Sequence, residues 1–150
     1  MRSPAGNRGR SLLCAAVLSL AGCVSPREGM VTDVDPVRWD APAGVVIPNA
    51  DTTSLHEMAL FLRLNDRFGD DTVSFRIEVR TPDSLRCEET VLFAVPCGQS
   101  SAARARIADI PYRSRVQFHL TGDYRLTVTP CRPLQGVEAV GVRLQPTAAR

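Results

Sequence analysis

Cys23 is the residue whose surroundings specify a reaction. It closes the run Leu20-Ala21-Gly22-Cys23. Small residues at a cut, followed at once by a thiol, are what a bacterial lipoprotein processing site requires: cleavage before Cys23 and transfer of a diacylglycerol to its sulfur. The upstream residues agree. Met1 to Arg10 holds Arg2, Arg8 and Arg10 and no acid, and Ser11 to Leu20 is mostly apolar. A basic start, a short apolar middle and small residues at the cut make a secretory signal over residues 1–22. The apolar run is about half the roughly 20 residues that span a bilayer, which argues against a transmembrane helix. Lipidation of Cys23 is therefore expected; the alternative is a plain secreted protein that happens to carry cysteine there. Acyl chains contribute about 0.8 kcal/mol per buried methylene, and anchors of more than one chain hold stably.

The other reactive side chains specify much less. There is no G-x-S-x-G, no H-E-x-x-H and no P-loop. Asp51, Ser54 and His56 lie close together in sequence, and in an extended segment Ser54 and His56 share a face. Such residues also gather in turns by propensity alone. Asp70-Asp71 and Glu88-Glu89 are paired acids at expected strand ends, too little for a glycosidase pair. His119 falls between Phe118 and Leu120 on an expected solvent face. No catalytic residue is assigned and the chain is not expected to be an enzyme. No metal or cofactor is expected either, beyond the covalent lipid on Cys23: C-x-x-C is absent, and only His56 and His119 stand ready to assist a thiol.

Cys14 leaves with the leader and Cys23 takes the lipid, so Cys87, Cys97 and Cys131 remain. An exported chain can form disulfides. If Cys87 to Cys97 is one extended strand, its ends lie about 33 Å apart, far beyond the roughly 7 Å that a disulfide spans. Two states stay open: one bridge from Cys131, with Cys97–Cys131 carried forward as the pair, or three free thiols.

The formal charge is +2, but Arg2, Arg8 and Arg10 belong to the leader; without them 15 arginines face 16 acids, a net of −1. A nucleic-acid partner has no electrostatic support. All 18 basic residues are arginine and spread along the chain, a pattern that codon bias explains as well as guanidinium chemistry does. Arg104, Arg106, Arg113 and Arg115 make the densest basic stretch and are candidate contacts for an acidic partner, a lipid headgroup or a cell-wall polymer. Trp39, the sole tryptophan, is a candidate platform for a partner or a sugar; packing at the first strand is the competing reading.

These residues must be positioned by strands. Residues 23–38, with Pro26, Gly29, Pro36 and scattered charges, read as a lipidated N-terminus and flexible tether. Residues 39–150 read as one domain. In Thr72 to Arg80, Val73, Phe75, Ile77 and Val79 alternate with Ser74, Arg76, Glu78 and Arg80, the period of a half-buried antiparallel strand. Similar runs are expected at Val45 to Ile47, Glu57 to Asn65, Glu89 to Val95, Arg115 to Leu120, Tyr124 to Thr129 and Val137 to Gln145. Glu57 to Asn65 is apolar on both sides and reads as central. Ala102 to Ile110 suggests a helical turn, and Thr121-Gly122-Asp123 a hairpin turn. About seven antiparallel strands without long helices point to an all-β sandwich, with a barrel as the alternative. The expected core includes Phe61, Phe75, Phe93 and Phe118.

The order of several features is similar to the GldH family of gliding-motility lipoproteins of Bacteroidota. They are Trp39 after the tether, Asp51-Thr52, Phe61-Leu62-Arg63-Leu64, Phe75 to Pro82 and Glu89-Thr90-Val91. At the end come Phe118, Gly122-Asp123-Tyr124-Arg125-Leu126, Arg132, Leu134, Gly136-Val137 and Val140-Gly141-Val142-Arg143-Leu144. The chain departs from the family's tyrosine- and asparagine-rich strand at Asp71 to Arg80. The resemblance implies an accessory lipoprotein of the gliding and type IX secretion apparatus that works by binding other envelope proteins. Val24 is not the aspartate that retains some lipoproteins at the inner membrane, and only Glu28 supplies acid near Cys23. The resemblance therefore implies the outer membrane and its periplasmic face.

Two modes of action carry different structural requirements. Docking to envelope proteins calls for an exposed apolar face with a polar rim. Binding a glycan or another envelope ligand calls for a concave face, and a groove lined by Trp39 or Tyr112 would favour it.

Overall fold

A computed structural model describes residues 30–96 and 105–147. Alternating side chains make eight strands: β1 (Val31–Asp33), β2 (Ala43–Asn49), β3 (Leu55–Asn65), β4 (Thr72–Arg80), β5 (Arg86–Ala94), β6 (Ala105–Gln117), β7 (Gly122–Pro130) and β8 (Val137–Pro146). There is no helix among the described residues. The strands form two four-stranded antiparallel sheets, ordered β1-β8-β3-β6 and β2-β7-β4-β5. The protein is an all-β sandwich, as the alternation in β4 and its neighbours leads one to expect.

The core is the layer between the sheets. Met58, Leu60, Leu62 and Leu64 of β3 meet Val73, Phe75 and Ile77 of β4, with Val45, Ile47, Leu126, Val128, Val140 and Val142 around them. No polar or charged residue is buried among the described residues. A file of aromatic rings crosses this layer from Trp39 to Phe75 (5.4 Å), Phe93 (6.1 Å) and Tyr112 (5.9 Å). The strands and the described core lie between Met30 and Thr147.

Four expectations are corrected. First, the stretch read as a tether joins the fold at Met30. β1 pairs with β8 (Val31 with Gly141, Asp33 with Ala139), Val142 N donates to Met30 O at 2.8 Å, and Gly136 N donates to Pro36 O at 2.8 Å. Three residues with mixed polarity carry too little period to be read as a strand. Second, Ala102 to Ile110 holds no helical turn over its described part: Ala105 onward is β6, where Ala108 and Ile110 are buried against β3. Alanine's helix propensity is a weak prior that tertiary pairing overrides. Third, Thr121-Gly122-Asp123 does not close a hairpin. β6 belongs to one sheet and β7 to the other; Gly122 pairs with Asn49 of β2, and the chain crosses between sheets there. Accordingly Leu120, at that crossing, is 38% exposed. Fourth, Phe61 is not a core residue. It lies half-buried on the outer face of the first sheet with the Arg143 guanidinium 5.6 Å above its ring.

One end of the sandwich gathers the β2–β3, β4–β5 and β6–β7 connections. There Asn49 Nδ2 donates to Leu120 O at 2.8 Å and to Phe118 O at 3.2 Å. The other end gathers the β1–β2, β3–β4 and β7–β8 connections. Trp39 seals it, 2% exposed, exchanging backbone hydrogen bonds with Leu134 (2.8 and 2.9 Å) and donating its indole N–H to Ala41 O at 2.7 Å.

Candidate functional site

A concave feature rich in polar groups is a groove of about 470 Å³ on the outer face of the first sheet, lined by Glu57, Ala59, Asp109, Pro111, Arg113, Arg143 and Gln145 among others, with Tyr112 at one wall. Strand irregularity makes it. The β3–β6 register shifts on either side of Met58, Pro111 gives β6 no N–H at that point, and Arg115 takes a left-handed backbone conformation (φ 55°). Bulges of this kind bend a strand and re-aim its side chains. Ala59 and Pro111, paired across the strands, leave a low floor.

Its walls are charged and balanced. Arg143 of β8 reaches across β3 to Asp109 of β6 and forms an ion pair. The other oxygen of that carboxylate, Oδ1, is buried and has no hydrogen-bond partner, an acceptor whose desolvation is uncompensated. Glu57 accepts from the Thr147 hydroxyl at 3.2 Å and from the Arg115 N–H at 3.4 Å. Arg113 forks onto Glu89 (2.6 Å to Oε2) and lies 5.1 Å over the Tyr112 ring.

Tyr112 ties the groove to the core. Its ring stands edge-on to Phe93, and its hydroxyl donates to Glu89 on the edge strand of the opposite sheet. The Tyr112 hydrogen bond, with help from Arg113, holds the Glu89 carboxyl below the usual range, while burial and then Glu89 push the Tyr112 hydroxyl up. Glu89 therefore contributes stability that is present above its ordinary pKa and lost as pH falls below it. Tyr112→Phe is expected to cost about 1 kcal/mol, to raise the Glu89 pKa and to flatten the acid side of the stability profile. Carboxyl NMR titration and urea melts between pH 3 and 7 check this; an unmoved Glu89 would refute the tie.

The residues read from the sequence scatter. Trp39 is overturned as a partner contact, because it is buried at one end of the core. Arg113 lines the groove. Arg106 is half-buried, 5.7 Å from the Phe68 ring, and donates to Pro96 O at 3.2 Å, so it serves local packing. Arg115 is exposed, and its backbone N–H serves Glu57. Arg104, Cys23 and Cys97 lie outside the described residues. Cys87 and Cys131 are exposed, and neither is bridged among the described residues. Cys87 pairs with Val79 whereas Cys131 N bonds Ser74 O; five residues of β4, about 17 Å, separate the two levels, so these two do not bridge. Ser54 turns its hydroxyl to Asp51, whose carboxyl is held well below the ordinary range by hydrogen bonds from Ser54 and Thr53. His56 instead packs 6.0 Å from Phe118 with its Nδ1 buried and unpartnered. The arrangement caps a turn and forms no Ser–His pair. His119 is exposed.

Among the described residues no three His, Cys, Asp or Glu side chains gather to hold a metal. The exposed large apolar residues there, Val31, Val37, Leu85, Leu92, Ile107 and Leu120, form no broad face: Leu92 and Ile107 lie on opposite outer faces and Leu85 and Leu120 on end loops. No broad apolar docking face lies among the described residues. Sequence reasoning missed Asp109, Arg143 and Glu57 because the groove joins three strands far apart in the chain; Phe61 and Arg143, polar and apolar on one face, were the available signal. No family model, curated protein or solved structure matches the chain.

Proposed function

We propose that this protein is a lipid-anchored envelope module, held by Cys23 at the periplasmic face of the outer membrane, which binds a neutral, hydroxyl-rich envelope ligand such as a glycan in the groove of the first sheet. Binding, without turnover, is the activity proposed. The observation that supports it is the groove's wall: two guanidiniums, two carboxylates and an amide around a low apolar floor, with one buried Asp109 oxygen lacking a donor. Hydroxyl groups both donate and accept, so a polyol satisfies such a wall where a simple anion would meet Asp109 and Glu57. The test is calorimetric titration of residues 24–150 with soluble envelope polysaccharide fragments. Arg143→Gln is expected to weaken binding at least tenfold while leaving the unfolding midpoint near wild type. Absence of millimolar or tighter binding to any fragment would sink the reading.

A second reading is the accessory subunit of the gliding and type IX secretion apparatus that the family resemblance implies. The observation favouring it is that β5 and β6 are edge strands on the same side of the sandwich whose outer backbone groups pair with no other strand among the described residues, so that a partner's strand can add there. Crosslinking in intact cells distinguishes the two: crosslinks from β5 or β6 to motility or secretion subunits support the subunit, and crosslinks to polysaccharide alone support the ligand module.

A further inference from the structure

We propose that the row Arg125–Arg80–Arg86 on the outer face of the second sheet is a seat for anionic lipid headgroups of the membrane that carries the anchor. This rests on the Cys23 anchor of the reading above, not on the groove.

The row is set by register. Arg80, the last residue of β4, stands directly opposite Arg125 of β7 on one side and Arg86, the first residue of β5, on the other. Like charges facing each other across strands repel. Arg86 is relieved by Glu78 at 2.5 Å; Arg80 and Arg125 form no ion pair among the described residues, and both are exposed. The next row holds Glu78 and Glu88, and Arg76 follows it. Asp123 lies on β7 one turn of the pleat beyond Arg125, and Asp83 accepts from the Thr81 hydroxyl. Two adjacent guanidiniums without carboxylate partners match phosphate groups in a bidentate fork.

Position supplies the occupant. The row lies at the end of the sandwich that gathers the β4–β5 and β6–β7 connections. Those loops expose Leu85 (66%) and Leu120 (38%), and they meet where Pro82 packs on Gly122. The chain enters from the same end, because β1 runs antiparallel to β8, which finishes there. Met30 is bonded at Val142, four residues short of Pro146, about 13 Å from that end. The seven residues from Cys23 to Met30 reach at most about 25 Å. With this end toward the membrane, a lipid on Cys23 leaves it at most about 12 Å from the headgroups, and any slack in the seven residues brings it within the roughly 8–10 Å over which surface charge acts. Exposed leucines beside arginines suit that boundary.

The test uses residues 24–150, which carry the whole described sandwich and no lipid, sedimented with vesicles of phosphatidylcholine alone or with 30% phosphatidylglycerol. Binding to the anionic vesicles is expected, falling with salt. The double variant Arg80→Gln, Arg125→Gln is expected to lose about 25-fold, roughly fivefold per arginine, while Arg38→Gln at the far end binds as wild type. Circular dichroism confirms that the double variant folds, and Arg80→Gln alone is expected to be no less stable than wild type. Equal binding to neutral vesicles, no loss in the double variant, or full competition by millimolar inorganic phosphate would each overturn the seat. The mass of the protein from envelopes reports the anchor separately: an unmodified Cys23 defeats the anchor whatever the vesicles show.

Discussion

Gly136→Ala is expected to cost about 2–5 kcal/mol, although it adds one methyl group. Gly136 has φ 78°, a conformation that charges a residue with a Cβ about 1–2 kcal/mol. That Cβ would also stand 2.7 Å from Phe68 Cα and 2.8 Å from Arg67 C. These are backbone atoms and cannot swing aside, so overpacking adds about 1–3 kcal/mol. The position also joins three connections: Gly136 N donates to Pro36 O, and Asn65 N donates to Gly136 O, each at 2.8 Å. A shift of this residue therefore disturbs the β1–β2, β3–β4 and β7–β8 loops together. Trp39, the only tryptophan, packs beside them and reports unfolding by fluorescence in urea. A midpoint within experimental error of wild type would show that the loop relaxes freely.

Phe75→Ala is expected to cost about 3–5 kcal/mol. Phe75 is fully buried at the middle of the aromatic file, between Trp39 and Phe93. Its removal opens a cavity between two sheets whose backbones are pinned by their ladders, so collapse is limited. Against a total stability of about 5–15 kcal/mol, much of the fold's margin goes. Phe61→Ala, by contrast, trims a half-buried ring on the outer face and is expected to cost about 1 kcal/mol. Urea melts of the two variants give the comparison. Equal losses would contradict the assignment of Phe61 to the outer face.

The same pair shows how far alternation can be read. In β4, apolar and polar residues strictly alternate, and the strand bounds and inward face follow directly. In β3, both faces are apolar; centrality is legible, since β3 lies between β8 and β6, but the side on which Phe61 points is not. β6 is obscured by Pro111 and by alanines that suit a helix equally well. β1 has three residues and no period at all; it exists because β8 offers it an edge.

Sites built across strands are harder still. Arg80, Arg86 and Arg125 become neighbours through register alone, and register depends on turns and bulges that a single sequence does not number. The basic stretch from Arg104 to Arg115 looked denser in one dimension. Folding divides its described members: Arg106 against Phe68, Arg113 onto Glu89 and Arg115 at a kink. A cluster along a strand alternates between opposite faces, whereas a cluster across strands concentrates on one.

The short β1 has a mechanical consequence. If Cys23 carries the proposed lipid, tension from it enters at Met30 along the axis of β1 and slides that strand past β8 instead of peeling it away. Sliding loads the bonds at Met30 and Val34 together. Behind them the sunken Trp39 indole acts as a second stop. A tug on the leash is thus met by a latch and a plug before it reaches the sheets.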